Sequence, residues 1–232
     1  MRKYFGTDGV RGIANTELSP SMAFKLGRAG GYVLAENKEK VKVVVGRDTR
    51  ISGDMLEAAL ISGLMSVGCD VITVGIIPTP GVAYLTRKYE ADCGVVISAS
   101  HNPVEYNGIK FFNKSGFKLD DSIELEIEKY IDNMDLIDVN PTGDMVGRKI
   151  FDHEAIRHYA DYLKSKIDVS LEGVKCVLDC ANGAAYRVAP MVFEELGAEV
   201  IAINAQPDGT NINDKCGSTH PEGLQKKVIE VG

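Results

Sequence analysis

VVISASHNPVEYNGIKFF, residues 95–112, is the stretch on which the fold prediction rests. It begins with a short apolar, β-branched run that predicts a buried strand over 95–97, and then changes abruptly to small and polar residues. Asn107-Gly108 is a typical turn pair, and it predicts a second strand over 109–112. The stretch therefore predicts a strand, a polar loop at the carboxyl end of that strand, and a returning strand.

The polar loop is a candidate reaction site, because ligands of open α/β sheets bind outside the carboxyl ends of the strands. Four side chains could converge there: the Ser100 hydroxyl, the His101 imidazole, the Asn102 carboxamide and the Lys110 ammonium. A turn or capping role is the commoner use of a serine before Asn-Pro, so these residues alone leave both uses open. A hydrolytic triad is not indicated, because adjacent side chains in an extended loop point apart.

Outward from this stretch, hydrophobic spacing predicts an alternation of strands and helices. Toward the amino terminus, helices are predicted over 20–37, 52–65 and 78–89, and strands over 42–45, 69–74 and 93–98. Ser19 can cap the first helix, and Pro20 suits its first position. The alternation indicates an α/β fold with a mixed, mostly parallel sheet sandwiched by helices, and with one antiparallel strand at an edge.

The chain is predicted to form two domains, over 1–150 and 151–232. A helix over 123–134 precedes residues 135–149, whose Asn-Pro-Thr-Gly composition is typical of a linker. The second domain is predicted to contain helices over 153–166 and 186–196, strands over 175–178 and 199–203, and a helix after Pro221. Two parallel strands are few for an α/β domain, so we expect this domain to be incomplete.

Composition restricts the class of protein. The chain has 232 residues, of which 44% are hydrophobic and 25% charged, a globular balance. Its net charge of −7 argues against a nucleic-acid surface. We expect a cytoplasmic protein without membrane contact, because no signal sequence is present and no apolar run approaches the ~20 residues of a membrane helix. The five scattered cysteines are expected to be reduced.

Three separated motifs resemble the α-D-phosphohexomutase family along essentially the whole chain. ISASHNP at 97–103, followed by YNGIK at 106–110, resembles the phosphoserine loop of that family. FGTDGVRG at 5–12 and NINDKCGSTHP at 211–221 are similar to the branch that acts on a glucosamine phosphate.

The resemblance implies reversible phosphoryl transfer, in which glucosamine 6-phosphate and glucosamine 1-phosphate are interconverted on the route to activated amino sugars for the cell wall. Phosphorylated Ser100 would give its group to the hexosamine phosphate substrate, with glucosamine 1,6-bisphosphate as intermediate or activator. The alternatives are a phosphomannomutase or phosphoglucomutase, and a non-catalytic module that binds a phosphosugar. The resemblance leaves a homodimer open.

The resemblance also implies roles for single residues. Ser100 is the expected phosphocarrier and, through its phosphate, a metal ligand, while Arg11 and Lys110 match positions that face it. By itself Arg11 could be a surface residue, whereas a lysine in an apolar strand is unusual because lysine is seldom buried unpaired. His101 could assist proton movement or only hydrogen-bond the loop. His220 lies in the third motif without an assigned role.

One family feature is absent from the sequence. The family binds Mg²⁺ with an Asp-Gly-Asp-Gly-Asp-Arg loop, which does not occur here, and residues 208–211 are too poor in carboxylates to replace it. The resemblance therefore implies Mg²⁺ bound by phosphorylated Ser100 and by aspartates beyond residue 232. We expect the chain to be the amino-terminal portion of a longer enzyme, cut before the metal-binding loop and inactive by itself.

Two other groups of polar residues are expected to be structural. Arg47 and Arg50 flank Asp48 in a strand-end loop, and mutual salt bridges are the expected use. His153 and His158 share a predicted helix at a spacing that misses i, i+4, so a metal pair is not predicted.

Overall fold

A mixed six-stranded sheet lies at the centre of the computed structural model, which describes residues 2–35, 38 and 40–232. The strand order is β1-β5-β4-β2-β3-β6, with β1 and β5 antiparallel to their neighbours and the other pairs parallel. These strands are β1 (Val10–Ile13), β2 (Lys42–Arg47), β3 (Asp70–Ile76), β4 (Cys93–Ile97), β5 (Tyr106–Asn113) and β6 (Lys149–Phe151). The predicted α/β class with a mostly parallel sheet is confirmed.

Helices cover both faces of this sheet. They are α1 (Pro20–Leu34), α2 (Ser52–Met65), α3 (Thr79–Lys88), α4 (Asp121–Asp132), α5 (Ala155–Lys164) and α6 (Val188–Glu195). A further helix, α7 (Glu222–Val231), lies away from this sheet. Successive strand side chains point to opposite faces, so Val43 and Val45 join the core under α1, α2 and α4, while Val44 joins the core under α3, α5 and α6. Both faces of the central strands are therefore buried, as in other parallel sheets.

The first helix begins where its capping signals predict. The Ser19 side chain accepts a hydrogen bond from the backbone N–H of Met22, and Pro20 occupies the first turn. Helix α1 ends at Leu34. Residues 36 and 37, to which the predicted helix extended, lie outside the described residues.

The Asn107-Gly108 turn is a wrong prediction, because both residues lie inside β5. Asn107 is fully buried, donates to Ser52 Oγ at 2.9 Å and accepts the N–H of Gly108 at 2.8 Å. Strand β1 pairs with this part of β5, with Arg11 opposite Gly108, so β5 is not at the edge of the sheet either. The reversal lies earlier, where Tyr106 N–H donates to Pro103 O. Tertiary pairing with β1 has overridden the local turn preference.

Residues 135–149, predicted as a linker, pack against the first sheet. They contain two 3₁₀ helices (Met134–Leu136 and Gly143–Met145), and Gly147 N–H donates to Met65 O at the end of α2. Strand β6 then pairs in parallel with β3. A domain boundary near residue 150 stays a prediction, because β6 crosses it.

The remaining strands form a separate two-stranded sheet. Strands β7 (Lys175–Asp179) and β8 (Glu199–Ile203) are parallel, as predicted, and α7 lies beside β7. We call residues 151–232 the second unit. Across the described ranges, no helix is both long enough and apolar enough to span a membrane.

Candidate functional site

Ser100 lies in the loop that follows β4, at the carboxyl end of the parallel strands. Its side chain is exposed, and its backbone is left-handed, with φ of 57°. The backbone N–H donates to Ser98 Oγ at 3.2 Å, and Ser100 Oγ lies 3.5 Å from His101 Nδ1. That last distance is too long for a strong hydrogen bond. The hydroxyl is thus presented to solvent on a constrained backbone.

The fully buried Arg50 side chain binds backbone carbonyls of this loop. The guanidinium donates to Ser100 O at 3.0 Å, to Asn102 O at 2.8 Å and to Pro103 O. Its Nε donates to Asp48 Oδ2 at 3.0 Å, and Asp48 is itself buried. A buried charge needs such a paired and hydrogen-bonded setting. The planar five-donor group of arginine can bind three loop carbonyls and a carboxylate at once.

A second donor reaches the same carbonyls from the second unit. Asn213 Nδ2 donates to Ser100 O at 3.0 Å and to Asn102 O at 3.1 Å. Asn213 belongs to the NINDKCGSTHP motif, so two of the three motifs meet at this loop. A carbonyl oxygen has two lone pairs, and the oxygens of Ser100 and Asn102 each accept from both Arg50 and Asn213.

The residues on either side of Arg50 bind the second unit. Thr49 Oγ1 donates to Asn182 O at 2.5 Å, and Ile51 N–H donates to Gly209 O at 2.8 Å. Residues 49–51 therefore connect the second unit to the Ser100 loop: Thr49 and Ile51 bind the second unit, and Arg50 binds the loop.

A cationic cluster occupies the neighbouring strands β1 and β5. Lys110 Nζ lies 3.7 Å from Asp8 Oδ1, and Arg11 Nη2 lies 3.3 Å from Asp8 Oδ2. Burial and the nearby Arg11 guanidinium lower the pKa of Lys110, against the opposing effect of Asp8. Arg11 Nε is buried and has no hydrogen-bond partner within the described part of the chain. Two cations share one carboxylate, so the cluster is suited to an additional anion.

Glycine allows this cluster to lie close to the base of the Ser100 loop. A Cβ on Gly108 would lie 3.0 Å from Arg11 Cγ and 2.8 Å from Ser98 O. Gly9 has φ of 83°, and a Cβ there would lie 2.4 Å from Ile109 O and 2.9 Å from Lys110 Cγ. The Arg11 side chain therefore packs over Gly108, beside Ser98, and the Lys110 side chain packs over Gly9.

The Arg11 side chain lies near Ser98, two residues before Ser100, but the cluster makes no direct bond to the serine. Among the described residues, no hydrogen bond or ion pair joins Ser100 or His101 to Arg11 or Lys110. This arrangement resembles an anion site more than a proton relay.

Beside the contact of Asn213 with the loop lies a cleft of about 460 Å³, which is lined by residues 101–105 and by part of the NINDKCGSTHP motif. His101 and Glu105 line one side, and Asp214, Lys215 and His220 line the other. Its walls carry both signs of charge and hydrogen-bonding groups. The cleft can admit a polar ligand beside the serine.

The residues present do not complete a magnesium site. In the part of the chain that the structure describes, no three His, Cys, Asp or Glu side chains are grouped to hold a metal. Asp208 Oδ1 accepts from Thr210 N–H, Thr210 Oγ1 and Asn211 N–H, so this carboxylate is used by its own turn. Magnesium prefers several oxygen ligands in octahedral geometry. A phosphate on Ser100 would supply one oxygen ligand, which by itself is too few for such a site.

Sequence reasoning missed the residues that support the loop. The expected Asp48–Arg50 salt bridge is confirmed, but Arg47 pairs with Asp54 and Glu57 instead. The carbonyl contacts of Arg50 and Asn213 span between 50 and 113 residues, so no local pattern could have indicated them. The NINDKCGSTHP motif could have drawn attention to Asn213, but it did not indicate that Asn213 binds the Ser100 loop.

The sequence of this chain is similar to those of known enzymes. The chain is 74% identical over 230 residues to a phosphoglucosamine mutase of Clostridioides difficile, covering 99% of this chain and 51% of that relative. A phosphoglucosamine mutase of Clostridium novyi is 61% identical over 232 residues, covering 100% of this chain and 52% of that relative. The chain thus spans about half the length of the curated relatives it matches.

Solved structures give the same result. A phosphoglucomutase/phosphomannomutase family protein from Burkholderia thailandensis matches with a TM-score of 0.79 and 30% identity, covering 100% of this chain and 50% of that one. Residues 2–138 match the model of phosphoglucomutase/phosphomannomutase, alpha/beta/alpha domain I. This chain therefore belongs to the phosphoglucomutase/phosphomannomutase family.

Proposed function

We propose that this chain carries the phosphocarrier loop of a phosphoglucosamine mutase, with Ser100 as the residue that accepts and returns the phosphoryl group. The single observation that carries the proposal is the exposed Ser100, held on a rigid backbone by Arg50 beside a cationic cluster. The amino-sugar specificity is supported by the relatives that are named phosphoglucosamine mutases.

In the proposed reaction, the phosphate on Ser100 passes to a free hydroxyl of the hexosamine phosphate, and the phosphate at the other position of the sugar then returns to Ser100. Such transfer depends on in-line placement and on neutralisation of charge spreading over the phosphoryl oxygens. Phosphoserine carries about −1.5 to −2 charges, so nearby cations matter. Lys110 and Arg11 are proposed to neutralise that charge.

His101 is the proposed proton-transfer residue of the loop. Its Nδ1 lies 3.5 Å from Ser100 Oγ, and a tighter approach would be needed when substrate is bound. His101 lines the neighbouring cleft, and we propose that a hydroxyl of the sugar enters there to approach the exposed Ser100.

The proposal includes Mg²⁺ as cofactor, bound by the phosphate on Ser100 and by aspartates outside residues 1–232. It places the protein in the cytoplasm, and the five free cysteines suit a reducing compartment. Homodimer formation stays a prediction that sedimentation velocity of the intact gene product can test.

The alternative within the family is action on mannose or glucose phosphate, and the Burkholderia relative supports keeping it. The test is a coupled assay of the intact gene product with Mg²⁺ and a sugar bisphosphate primer on glucosamine, mannose and glucose 6-phosphates. The highest kcat/KM is expected on the glucosamine compound. A preference for mannose or glucose would reassign the substrate.

Peptide mass spectrometry of the same protein, purified from cells, tests the carrier. Phosphate is expected on Ser100. Phosphate found only on other serines, together with turnover, would contradict the assignment of Ser100. Absence of both turnover and phosphate would favour a non-catalytic phosphosugar-binding module.

A further inference from the structure

Asn213 is the residue of the second unit whose side chain binds the Ser100 loop in the described structure. Both hydrogens of its amide are used, one on Ser100 O at 3.0 Å and one on Asn102 O at 3.1 Å. Ser100 and Asn213 are 113 residues apart in the sequence. Their contact joins the second unit directly to the residue proposed as phosphocarrier.

The loop needs donors at these two oxygens. Ser100 has a left-handed backbone, which non-glycine residues seldom adopt without support from their surroundings. The two carbonyls point toward Arg50, which donates to both. Arg50 and Asn213 therefore bind the same pair of oxygens from two different units.

Asn213 is itself held in place before it meets the loop. Its φ is 59°, a conformation that asparagine tolerates better than most residues. Its backbone N–H donates to Ala181 O at 2.9 Å, and the preceding Ile212 is buried. The carboxamide therefore belongs to a preorganised turn of the second unit.

We propose that Asn213 is a positioning residue for phosphoryl transfer, which aligns Ser100 Oγ by fixing the carbonyls of Ser100 and Asn102. The inference rests on the proposed function and deepens it, because it makes docking of the second unit a condition for correct geometry of the carrier. Transfer needs close alignment of the reacting atoms, and small displacements cost large factors in rate.

The main test is Asn213→Asp in the intact gene product. Aspartate keeps the shape and the left-handed backbone, but its carboxylate cannot donate and would face two carbonyl oxygens. We expect kcat to fall by about 10²-fold, while KM for the sugar phosphate changes by less than about threefold. We expect the two carbonyl oxygens to raise the pKa of that carboxyl group, because they disfavour its charged form, against the opposing effect of the Arg50 guanidinium that binds the same oxygens.

The same variant provides a pH readout that a merely structural role would not give. Once protonated, the carboxyl group can donate to a carbonyl again. The ratio of variant to wild-type kcat should therefore rise as the pH falls from neutral. A flat ratio would argue that Asn213 acts through general stability.

Two glycine variants control for folding. Asn213→Gly keeps the backbone conformation and removes the carboxamide, and we expect kcat to fall about tenfold. Asn204→Gly is the matched control, since Asn204 has φ of 48° and donates to Asp179 Oδ1 inside the second unit. It should change kcat by less than about threefold, even if the thermal midpoint falls.

The outcomes separate this inference from the proposed function. Wild-type protein without turnover and without phosphate on Ser100 would overturn both. Active wild-type protein with Asn213→Asp within about threefold of its kcat would overturn only the positioning role. Equal losses in Asn213→Gly and Asn204→Gly would overturn it as well.

Discussion

The two sheets of this chain differ in how completely their strands are buried. Val43, Val44 and Val45 of β2 are fully buried, whereas every residue of β7 and β8 is at least partly exposed. Both sheets nevertheless end in loops with left-handed residues, Ser100 in one and Asn182 in the other.

The two sheets therefore contribute in different ways to the support of the Ser100 loop. The larger sheet has helices on both faces and supplies the buried platform on which Arg50 supports the Ser100 loop. The smaller sheet contributes loop residues that contact that platform, among them Asn182 and Gly209. The stability of the first region and the contacts of the second should therefore respond to different substitutions.

The largest expected effect is at the serine itself. Ser100→Ala in the intact gene product should lower kcat by on the order of 10⁵-fold or more, because the variant lacks the hydroxyl that is proposed to carry the phosphoryl group. The measurement is steady-state turnover with the bisphosphate primer. Ser115→Ala, an exposed serine on the turn after β5, should retain wild-type turnover. Near-normal activity of Ser100→Ala would remove the carrier role.

The second expected effect concerns a protein that consists of residues 1–232 alone, about half the length of the relatives. Residues 1–232 alone should be slower than the intact gene product by many powers of ten, because positioning and electrostatics supply most of the rate in phosphoryl transfer. The two proteins are assayed side by side with primer and Mg²⁺. Turnover within about tenfold, a barrier difference of ~1.4 kcal/mol, would mean that the metal and sugar sites lie within this chain.

The third prediction separates charge from stability in the larger sheet. Lys110→Met should lower kcat by about 10²- to 10³-fold, since one of the two cations proposed to neutralise the phosphoryl charge is lost. The unphosphorylated variant should unfold at a higher temperature at neutral pH, because the lowered pKa of Lys110 means that its charge opposes folding. That gain should shrink as pH rises from the lowered pKa toward 10.5, where wild-type Lys110 also becomes neutral.

The matched control for this change is Lys114→Met, at an exposed position after the same strand. It should leave both kcat and the thermal midpoint close to wild type. Equal kcat losses in the two lysine variants would show that general surface charge, and not the Asp8–Arg11–Lys110 cluster, determines the rate.

The fourth prediction tests the burial difference directly. Val45→Ala in β2 should destabilise a protein of residues 1–232 by about 2 kcal/mol, because two methyl groups leave a fully buried site. In the same protein of residues 1–232, where β7 is half-buried, Val177→Ala should cost about 1 kcal/mol or less. Chemical denaturation monitored by circular dichroism gives both values. A larger cost at Val177 would reverse the ranking of the two sheets.

The smallest expected effect is at Glu128, on a helix that packs against the larger sheet. Glu128 is buried on α4 and accepts backbone N–H groups of Lys3, Tyr4 and Phe5. Burial tends to raise its pKa, but these donors outweigh burial and hold the pKa below 4.5. The stabilisation is present above pH 4.5 and is lost as pH falls through the lowered pKa.

Glu128→Gln should therefore cost about 1 kcal/mol at neutral pH, because one carboxylate acceptor is lost. The difference from wild type should shrink below the ordinary pKa of the group. Denaturation at neutral and acid pH measures both values. A difference that persists unchanged at acid pH would mean that packing, and not the charge, is responsible.

Local sequence patterns determined much of this protein. The capping residues Ser19 and Pro20 predicted where α1 begins, and alternation of apolar segments predicted the α/β class. The change from apolar to polar after Ile97 predicted a strand-end loop with Ser100 in it. These features depend on residues a few positions apart, so a sequence pattern can carry them.

Tertiary structure alone decided the pairing and support of that loop. Asn107 and Gly108 have a strong turn preference, but pairing with β1 and burial against Ser52 keep them in a strand. The carbonyls of Ser100 and Asn102 are bound by Arg50 and Asn213, whose contacts span 50 to 113 residues. Such contacts arise only when distant segments are packed together, and they leave no periodic signal in the chain.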